Sequence, residues 1–413
     1  MHTGIVIDEK DLLKLDKKMD NTDLMFEDYW WSKVALHGID KGYKTPFITY
    51  LCSKENRTNV MRRIVSGQFD FGIPRIAKIP KDNGGFREVY VLGEEERLVG
   101  YIVSEIYNWK YSHLISKYCE SYQKGKSTSR TVRELKDSIK SGVKVDISKY
   151  FDNVSIETIN KNLDKIDSKS PIDYYVRKFY NTNLISINGE IVERYKGICQ
   201  GSPLSAFLSN IILRDIDDKI SKMCVEYRRY SDDIIALGGD TGKILSVLEE
   251  ELSKLGLSLN PNKIEILTPD KEFKFLGYGL LGDDIIIAKE TMKKKKAEIK
   301  KICKKYKSLK SRINAINRMF YLGKTPMLNW AYPKFHTITN IDRLDELDNY
   351  CKDCLRNSVT GKWNYVHNKN KVPDSMLRDN GYVSLKHMYN MSKCGKAVWC
   401  QTVDNVLKGF PVQ

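Results

Sequence analysis

Tyr230-Ser231-Asp232-Asp233 separates the polar stretch 225–229 from the apolar run 234–237, the pattern of two strands joined by a tight acidic turn. Adjacent carboxylates on a hairpin tip repel one another unless a cation sits between them. A third carboxylate joins them: Val143-Lys144-Val145-Asp146-Ile147 alternates as a strand does and carries Asp146 near its end. One aspartate at a turn is ordinarily a cap. Three at neighbouring strand ends make the constellation that holds two magnesium ions about 3.5 to 4 Å apart for in-line phosphoryl transfer, the chemistry of a polymerase.

At 413 residues and 41% apolar, the chain has length for two or three domains and a core that needs no staples. Lys and Arg outnumber Asp and Glu by 69 to 53, a formal charge of +16. Solubility alone can account for such an excess, but around acidic catalytic candidates a polyanionic substrate explains it better. The 9 cysteines are scattered and odd in number, and the only apolar leader is Gly4-Ile5-Val6-Ile7, which argues against a disulfide framework and a signal peptide. No run approaches the ~18 apolar residues of a membrane span. A cytoplasmic protein without a membrane partner is expected.

Residues 1–60 read as packed helices, and 73–91 as a hairpin with basic arms around Asp82-Asn83-Gly84-Gly85. Helices are expected at 95–111, 155–182, 202–222 and 241–255. A hairpin around Asn188-Gly189, a strand at 263–267 and a strand pair within 273–287 complete an α+β pattern with a small antiparallel sheet. From Ala288 lysines dominate a helical stretch running to Lys310, with Ile299, Ile302, Tyr306 and Leu309 as its inner face. Such a run is either a solvated face or a surface for a nucleic acid backbone. Gly238 to Ile244 imitates a phosphate loop but is one residue short and lacks the final Ser or Thr, so it reads as a turn and helix start. Cys351 and Cys354 have metal spacing without a second pair nearby, and two cysteines on one helix face is the simpler reading.

Taken in order, these segments resemble a bacterial reverse transcriptase. Residues 73–97 are similar to that family's first finger motifs, 121–128 to its basic turn, 145–152 to its first catalytic block and 196–205 (Lys-Gly-Ile-Cys-Gln-Gly-Ser-Pro-Leu-Ser) to its substrate-binding block. Residues 230–233 resemble its acidic turn, 255–263 its lysine motif and 275–278 (Phe-Leu-Gly-Tyr) its primer grip. The resemblance implies a right-hand fold: N-terminal segment and fingers at 1–105, palm at 106–154, a fingers insertion at 155–195, the second palm part at 196–288, a basic helical thumb at 289–360 and a tail or thumb extension at 361–413.

The resemblance also implies roles. Asp146 and Asp232 bridge two Mg2+ ions, with Mn2+ as an alternative, the Ile147 carbonyl is a further ligand, and Asp233 is the peripheral carboxylate. Phe151 packs under the incoming sugar and excludes a 2′-hydroxyl, or is simply a core ring. Gln200 and Gly201 open a helix and contact nucleotide and template. Lys78, Lys81 and Arg87 hold the triphosphate, with the choice between the two lysines open. Lys263 protonates or neutralises the leaving pyrophosphate, and Leu276, Gly277 and Tyr278 grip the primer end.

The residues beyond the primer grip accommodate a thumb and a short tail but no ribonuclease H, integrase or endonuclease domain. Ser205-Ala206 stands where many bacterial relatives have Ser-Pro and diversity-generating relatives Ser-Gln. Val359-Thr360-Gly361 matches a retron thumb signature but lies later than expected and is read as coincidence. The resemblance is therefore to stand-alone, group II intron-like enzymes, many serving in defence against phage. It implies dNTPs, an RNA template, such as a structured noncoding RNA, and a DNA product. An RNA-dependent RNA polymerase and a noncatalytic, maturase-like RNA-binding protein remain as alternatives.

Overall fold

In Val143-Lys144-Val145-Asp146 the two valines are fully buried while Lys144 and Asp146 are half-buried, so period-two patterning gives this strand one packed face. The computed structural model describes residues 9–40, 42–80, 84–135, 141–166, 169–182, 184–193 and 197–408. Its strands are β1 (Arg75–Pro80), β2 (Phe86–Val91), β3 (Gly142–Asp146), β4 (Leu184–Ile187), β5 (Glu190–Glu193), β6 (Glu226–Tyr230), β7 (Asp233–Leu237), β8 (Glu265–Leu267), β9 (Phe273–Phe275), β10 (Tyr278–Leu281) and β11 (Asp284–Ile287). They form sheets ordered β2-β1-β4-β5, β6-β7-β3-β8 and β11-β10-β9. The expected α+β class holds, and a parallel contact between β1 and β4, through Arg75 and Ser186, interrupts the antiparallel pattern.

The chain divides into two compact units, Met1–Lys126 with Ser141–Ile266, and Ser127–Lys140 with Leu267–Gln413. Segment 127–140, assigned from sequence to the palm, thus clusters with the second unit. In the first unit the helices Asp28–Asp40, Lys54–Val65 and Glu94–Lys110 bury Trp30, Trp31, Val60, Ile64, Leu98 and Ile102 in the same core as Val143, Val145, Ile234 and Ala236 of the β6-β7-β3-β8 sheet. The helix expected at 202–222 is two helices, Ser205–Ile212 and Arg214–Ile220, separated at Leu213 (φ −94°, ψ 7°). Phe207 to Leu213 are all buried, whereas Asp215 needs water, and the break lets both demands be met. The 155–182 stretch likewise divides into Ile156–Leu163 and Pro171–Asn181, the second opened by a proline whose missing N–H costs nothing there. The hairpin expected around Asn188-Gly189 forms from Leu184 to Glu193, turning through Asn188 (φ 52°) and Gly189 (φ 93°).

The second unit contains a three-stranded meander, β9 to β11, where a strand pair was expected. The lysine-rich helix ends at Lys305, because Ser308 accepts a hydrogen bond from Ser311 N and caps a new helix, Leu309–Tyr321. Its buried face is Met292, Ile299 and Cys303, and Tyr306 is exposed in extended backbone. Helix Asp342–Thr360 buries Cys351 and Cys354, whose thiols burial pushes upward, away from the thiolate a metal would need. The triplet Val359-Thr360-Gly361 is where this helix stops, Gly361 (φ 71°) supplying the left-handed residue after the last turn. Asp240 accepts from Lys243 N and caps Thr241–Lys254, so the phosphate-loop imitation is a helix start.

Candidate active site

Strand β7 pairs antiparallel with both β6 and β3, in a register that sets Asp233 opposite Tyr230 on one side and Asp146 on the other. Cross-strand partners point to the same face. Asp146 and Asp233 therefore share a sheet face, with Asp232 in the two-residue turn beside them. Ile147 N donates to Asp232 O at 3.1 Å, which ties the end of β3 to the turn.

The site carries more negative charge than its surroundings neutralise. Burial, reinforced by Asp146 and opposed by Lys263, holds the Asp232 carboxyl above its usual range. Burial also lifts Asp233 to about 7, with Lys144 opposing and Asp232, Asp146 and Glu265 adding to the rise. Lys144 is itself engaged by Glu265 at 2.6 Å. Lys263 closes the arrangement, its Nζ lying 2.7 Å from Asp146 Oδ2. It ends the short helix Pro261–Lys263, whose entry is tied to β3 by Asn260 N donating to Asp146 O at 2.8 Å.

Among the described residues no three His, Cys, Asp or Glu side chains form a ready-made metal cage. Magnesium seldom uses one, binding through one or two carboxylates and the substrate's own phosphates. The donors present suit it. Asp233 Oδ1 is buried with no hydrogen-bond partner, and the Ile147 carbonyl accepts no hydrogen bond among the described residues. Hard oxygen donors lacking a positive partner fit a hard divalent cation.

The turn is held from beneath. Arg229 is fully buried, and its guanidinium donates to both Asp217 carboxylate oxygens at 2.7 Å, to Asn210 O at 2.9 Å and to Ser231 O at 3.2 Å. Tyr227 OH donates to Asp217 Oδ1 at 2.7 Å. Ser231 sits at φ 60°, a left-handed conformation uncommon outside glycine, and its N donates to Ser121 Oγ at 3.0 Å. Ser121 and Asn210 bond reciprocally, each contact 2.8 Å. None of Ser121, Asn210, Asp217 and Arg229 was singled out from sequence. A basic residue beside Arg228 looks like surface, and only burial exposes its role.

The other expected site residues are placed as follows. Phe151 is half-buried against the core, its ring 5.5 Å from Tyr150 and its carbonyl accepting from Ile198 N at 2.7 Å. Gln200 and Gly201 do not open a helix. They form a turn four residues before Ser205, because Gly201 at φ 95° cannot continue helical backbone. Gln200 O accepts from Tyr90 N of β2 at 2.7 Å, and a Cβ on Gly201 would lie 3.2 Å from Val89 Cβ. On the β1–β2 hairpin Lys78 faces Glu88 and Arg87 faces Ile79, and these successive pairs alternate between the two faces. Lys78 and Arg87 thus point to opposite sides. Lys78 pairs loosely with Glu88 at 3.9 Å. Arg87 shares its electrostatic neighbourhood with Asp232 through Tyr122, whose hydroxyl bonds Ser231. Lys81 and Lys196 lie outside the described residues.

In the second unit Leu276 (φ 50°) and Gly277 (φ 82°) form the tight β9–β10 turn. Tyr278 is buried, its hydroxyl 2.8 Å from Ser129 Oγ and donating to Pro333 O at 3.2 Å, with Lys334 Nζ 3.3 Å above the ring. Burial lowers the Lys334 ammonium to about 7. Tyr278 is a strut beneath this turn.

A small antiparallel sheet with aspartates at its strand ends, a basic hairpin from the same unit and a lysine-rich helical unit are the palm, fingers and thumb of a right-hand polymerase. Within that class, residues 79–280 match the family described as reverse transcriptase (RNA-dependent DNA polymerase), and this part of the chain is a reverse transcriptase domain. The putative COX1/OXI3 intron 1 protein of Saccharomyces cerevisiae is 26% identical over 231 residues, 54% of this chain and 27% of that protein. The retron Ec83 reverse transcriptase of Escherichia coli is 26% identical over 167 residues, 39% of this chain and 51% of that protein. The chain therefore spans no more than about half the length of these curated relatives. The apo telomerase of Candida tropicalis has a TM-score of 0.42 at 14% identity, over 88% of this chain and 67% of its own. None of the described helices is long and apolar enough to cross a membrane.

Proposed function

We propose that the protein is an RNA-directed DNA polymerase. The observation that carries this reading is the grouping of Asp146, Asp232 and Asp233 at the ends of β3 and β7, short of positive charge, within a reverse transcriptase domain. Two bound magnesium ions would activate the primer 3′-hydroxyl and stabilise the pyrophosphate that leaves. Asp146 and Asp232 would hold both, with Asp233 and the Ile147 carbonyl as outer oxygens. Arg87 lies on the hairpin face that shares the surroundings of Tyr122 and Asp232, so between Lys78 and Arg87 it is the one better placed for the triphosphate. Lys263 holds Asp146 in a surface-accessible ion pair, and an entering triphosphate gives that ammonium a more highly charged partner. Phe151 restricts the sugar to the deoxy form. The finer reading is a cytoplasmic enzyme copying a cognate noncoding RNA in defence against phage, and the likeness to a yeast intron protein and to a retron reverse transcriptase supports it.

The test is primer extension on an RNA template, with dNTPs or rNTPs and Mg2+ or Mn2+. DNA synthesis is expected in the wild type and none in Asp232→Asn/Asp233→Asn. Preference for rNTPs would move the assignment to an RNA polymerase, and equal synthesis by the double variant would remove these carboxylates from the chemistry. Sequencing the RNA and cDNA that copurify with the protein would identify the template.

A further inference from the structure

One half-buried cation of the second unit has no part in the chemistry described so far. Lys334, on the short helix Ala331–Phe335, directs its ammonium at the Leu276-Gly277 turn. Its Nζ donates to Gly277 O at 3.2 Å and lies 3.3 Å from the centre of the Tyr278 ring. Burial lowers this ammonium to about 7, and among the described residues no acidic group offsets the effect. The same carbonyl accepts from Thr291 Oγ1, on helix Lys289–Lys305, at 3.2 Å. Two helices thus each direct a side chain at one backbone oxygen. A further contact, Tyr278 OH donating to Pro333 O at 3.2 Å, ties the residue after the turn to the residue before Lys334.

The turn requires such bracing. Gly277 takes φ 82° freely, but Leu276 at φ 50° carries a side chain in the left-handed region, where Gly or Asn is usual. Residues persist there only where their surroundings over-determine them, and they gather at sites that act. Filling the space beneath the turn does not call for a cation. An ammonium without a counter-charge is costly to bury, and an apolar chain of the same length would occupy the place at less penalty. What the ammonium adds is direction: a donor that fixes where Gly277 O points, and a charge that holds the Tyr278 ring against it.

We propose that Lys334 is a positioning residue for primer extension: through Gly277 O and the Tyr278 ring it holds the Leu276-Gly277 turn in a single shape that sets the primer's 3′ end, without itself touching nucleic acid. The proposal rests on the polymerase reading and on the primer-end role that the sequence resemblance gives this turn.

The experiment uses the full chain. Lys334→Met keeps a long apolar stem and removes the charge, and it is expected to lower kcat of primer extension about 10- to 100-fold, the scale of effect that misplacing a reacting group produces. Affinity for a fluorescent RNA–DNA hybrid, followed by anisotropy across a salt series, should stay within about twofold and keep the wild-type slope of log affinity against log salt, because no phosphate contact is lost. Urea denaturation should show no loss of stability. Thr291→Val removes the other donor to the same carbonyl, and the double variant should fall by less than the product of the two single falls. With 2-aminopurine as the primer's terminal base, fluorescence reports the setting of that end without catalysis, and Lys334→Met should change it. An unchanged kcat, an unchanged fluorescence or a full product in the double variant overturns the proposal. So does a fall in salt slope of roughly 0.7 to 0.9, which would make Lys334 a phosphate contact, or a loss of stability large enough to account for the lost activity. Wild-type protein that extends no primer while the fluorescence still depends on Lys334 would instead defeat the polymerase reading and leave the brace standing.

Discussion

Arg229 and Asp217 form a bidentate ion pair in which neither side chain is exposed to solvent at all. The same guanidinium reaches the Ser231 carbonyl, so the pair both fills the palm interior and supports the acidic turn. Removing one member of a buried pair strands the other's charge, a loss of about 3 to 5 kcal/mol. Arg229→Met should lose stability of that order in urea denaturation, and Arg229→Met/Asp217→Leu should recover much of it. DNA synthesis should stay low in the double variant, because Ser231 O still lacks its donor. Full recovery of both together would show that the pair supports the fold alone.

Phe151→Ala should raise rNTP incorporation relative to dNTP incorporation, while dNTP use falls less than discrimination does. The ring is only half-buried, and its truncation should cost less stability than that of a fully buried phenylalanine, for which about 3 to 5 kcal/mol is usual. Single-nucleotide insertion assays on an RNA template measure the ratio. An unchanged ratio would make Phe151 a packing residue.

Asp173 predicts a dependence of stability on pH. Burial, opposed by hydrogen bonds from Tyr107 and Asn21, lifts its carboxyl to about 6. The folded state then holds a proton that the unfolded chain has released. The associated stability is fully present below the ordinary aspartate range near 3.8 and is lost as pH rises through about 6. At about 1.4 kcal/mol per pKa unit this amounts to a few kcal/mol. Asp173→Asn should flatten the fall in denaturation free energy between these pH values. A fall of wild-type steepness in that variant would place the titration elsewhere.

On helix Lys289–Lys305 the lysines divide by what they touch. Lys296 pairs with Glu346 and lies 5.1 Å from the Tyr350 ring, and Lys295 engages Glu298 and the Trp330 ring. Lys293, Lys300 and Lys304 are exposed at helical spacing. Replacing these three with Gln should reduce the salt slope of hybrid binding by roughly 2 to 2.7 units, whereas Lys296→Gln should act mainly on stability. A wild-type slope in the triple variant would mark the stripe as solvated surface.

The strands around Asp146, Asp232 and Asp233 were legible because alternation and a two-residue turn are local signals. The Asn188-Gly189 hairpin was legible for the same reason. What escaped depends on partners distant in sequence. Arg229 reads as one more surface base until Asp217 and Asn210 enclose it, and Tyr122 gains meaning only beside Ser231. The break at Leu213 and the helix end at Tyr306 escaped differently. Apolar periodicity runs through both points, and competition from burial on all sides or from the Ser308 cap is not visible in the period itself.

The hydroxyls of Ser129 and Tyr278 meet across 149 residues of sequence, because Ser127–Lys140 clusters with a unit otherwise made of later residues. During synthesis that segment emerges from the ribosome long before the strand it braces exists, with Val132 and Leu135, fully buried in the finished protein, still without cover. The second unit therefore cannot be harvested as a C-terminal fragment. A chain beginning at Leu267 would lack the Ser129 partner of Tyr278, and a chain ending at Ile266 would leave Val132 and Leu135 uncovered, so a separable second unit has to be built by fusing 127–140 back onto it.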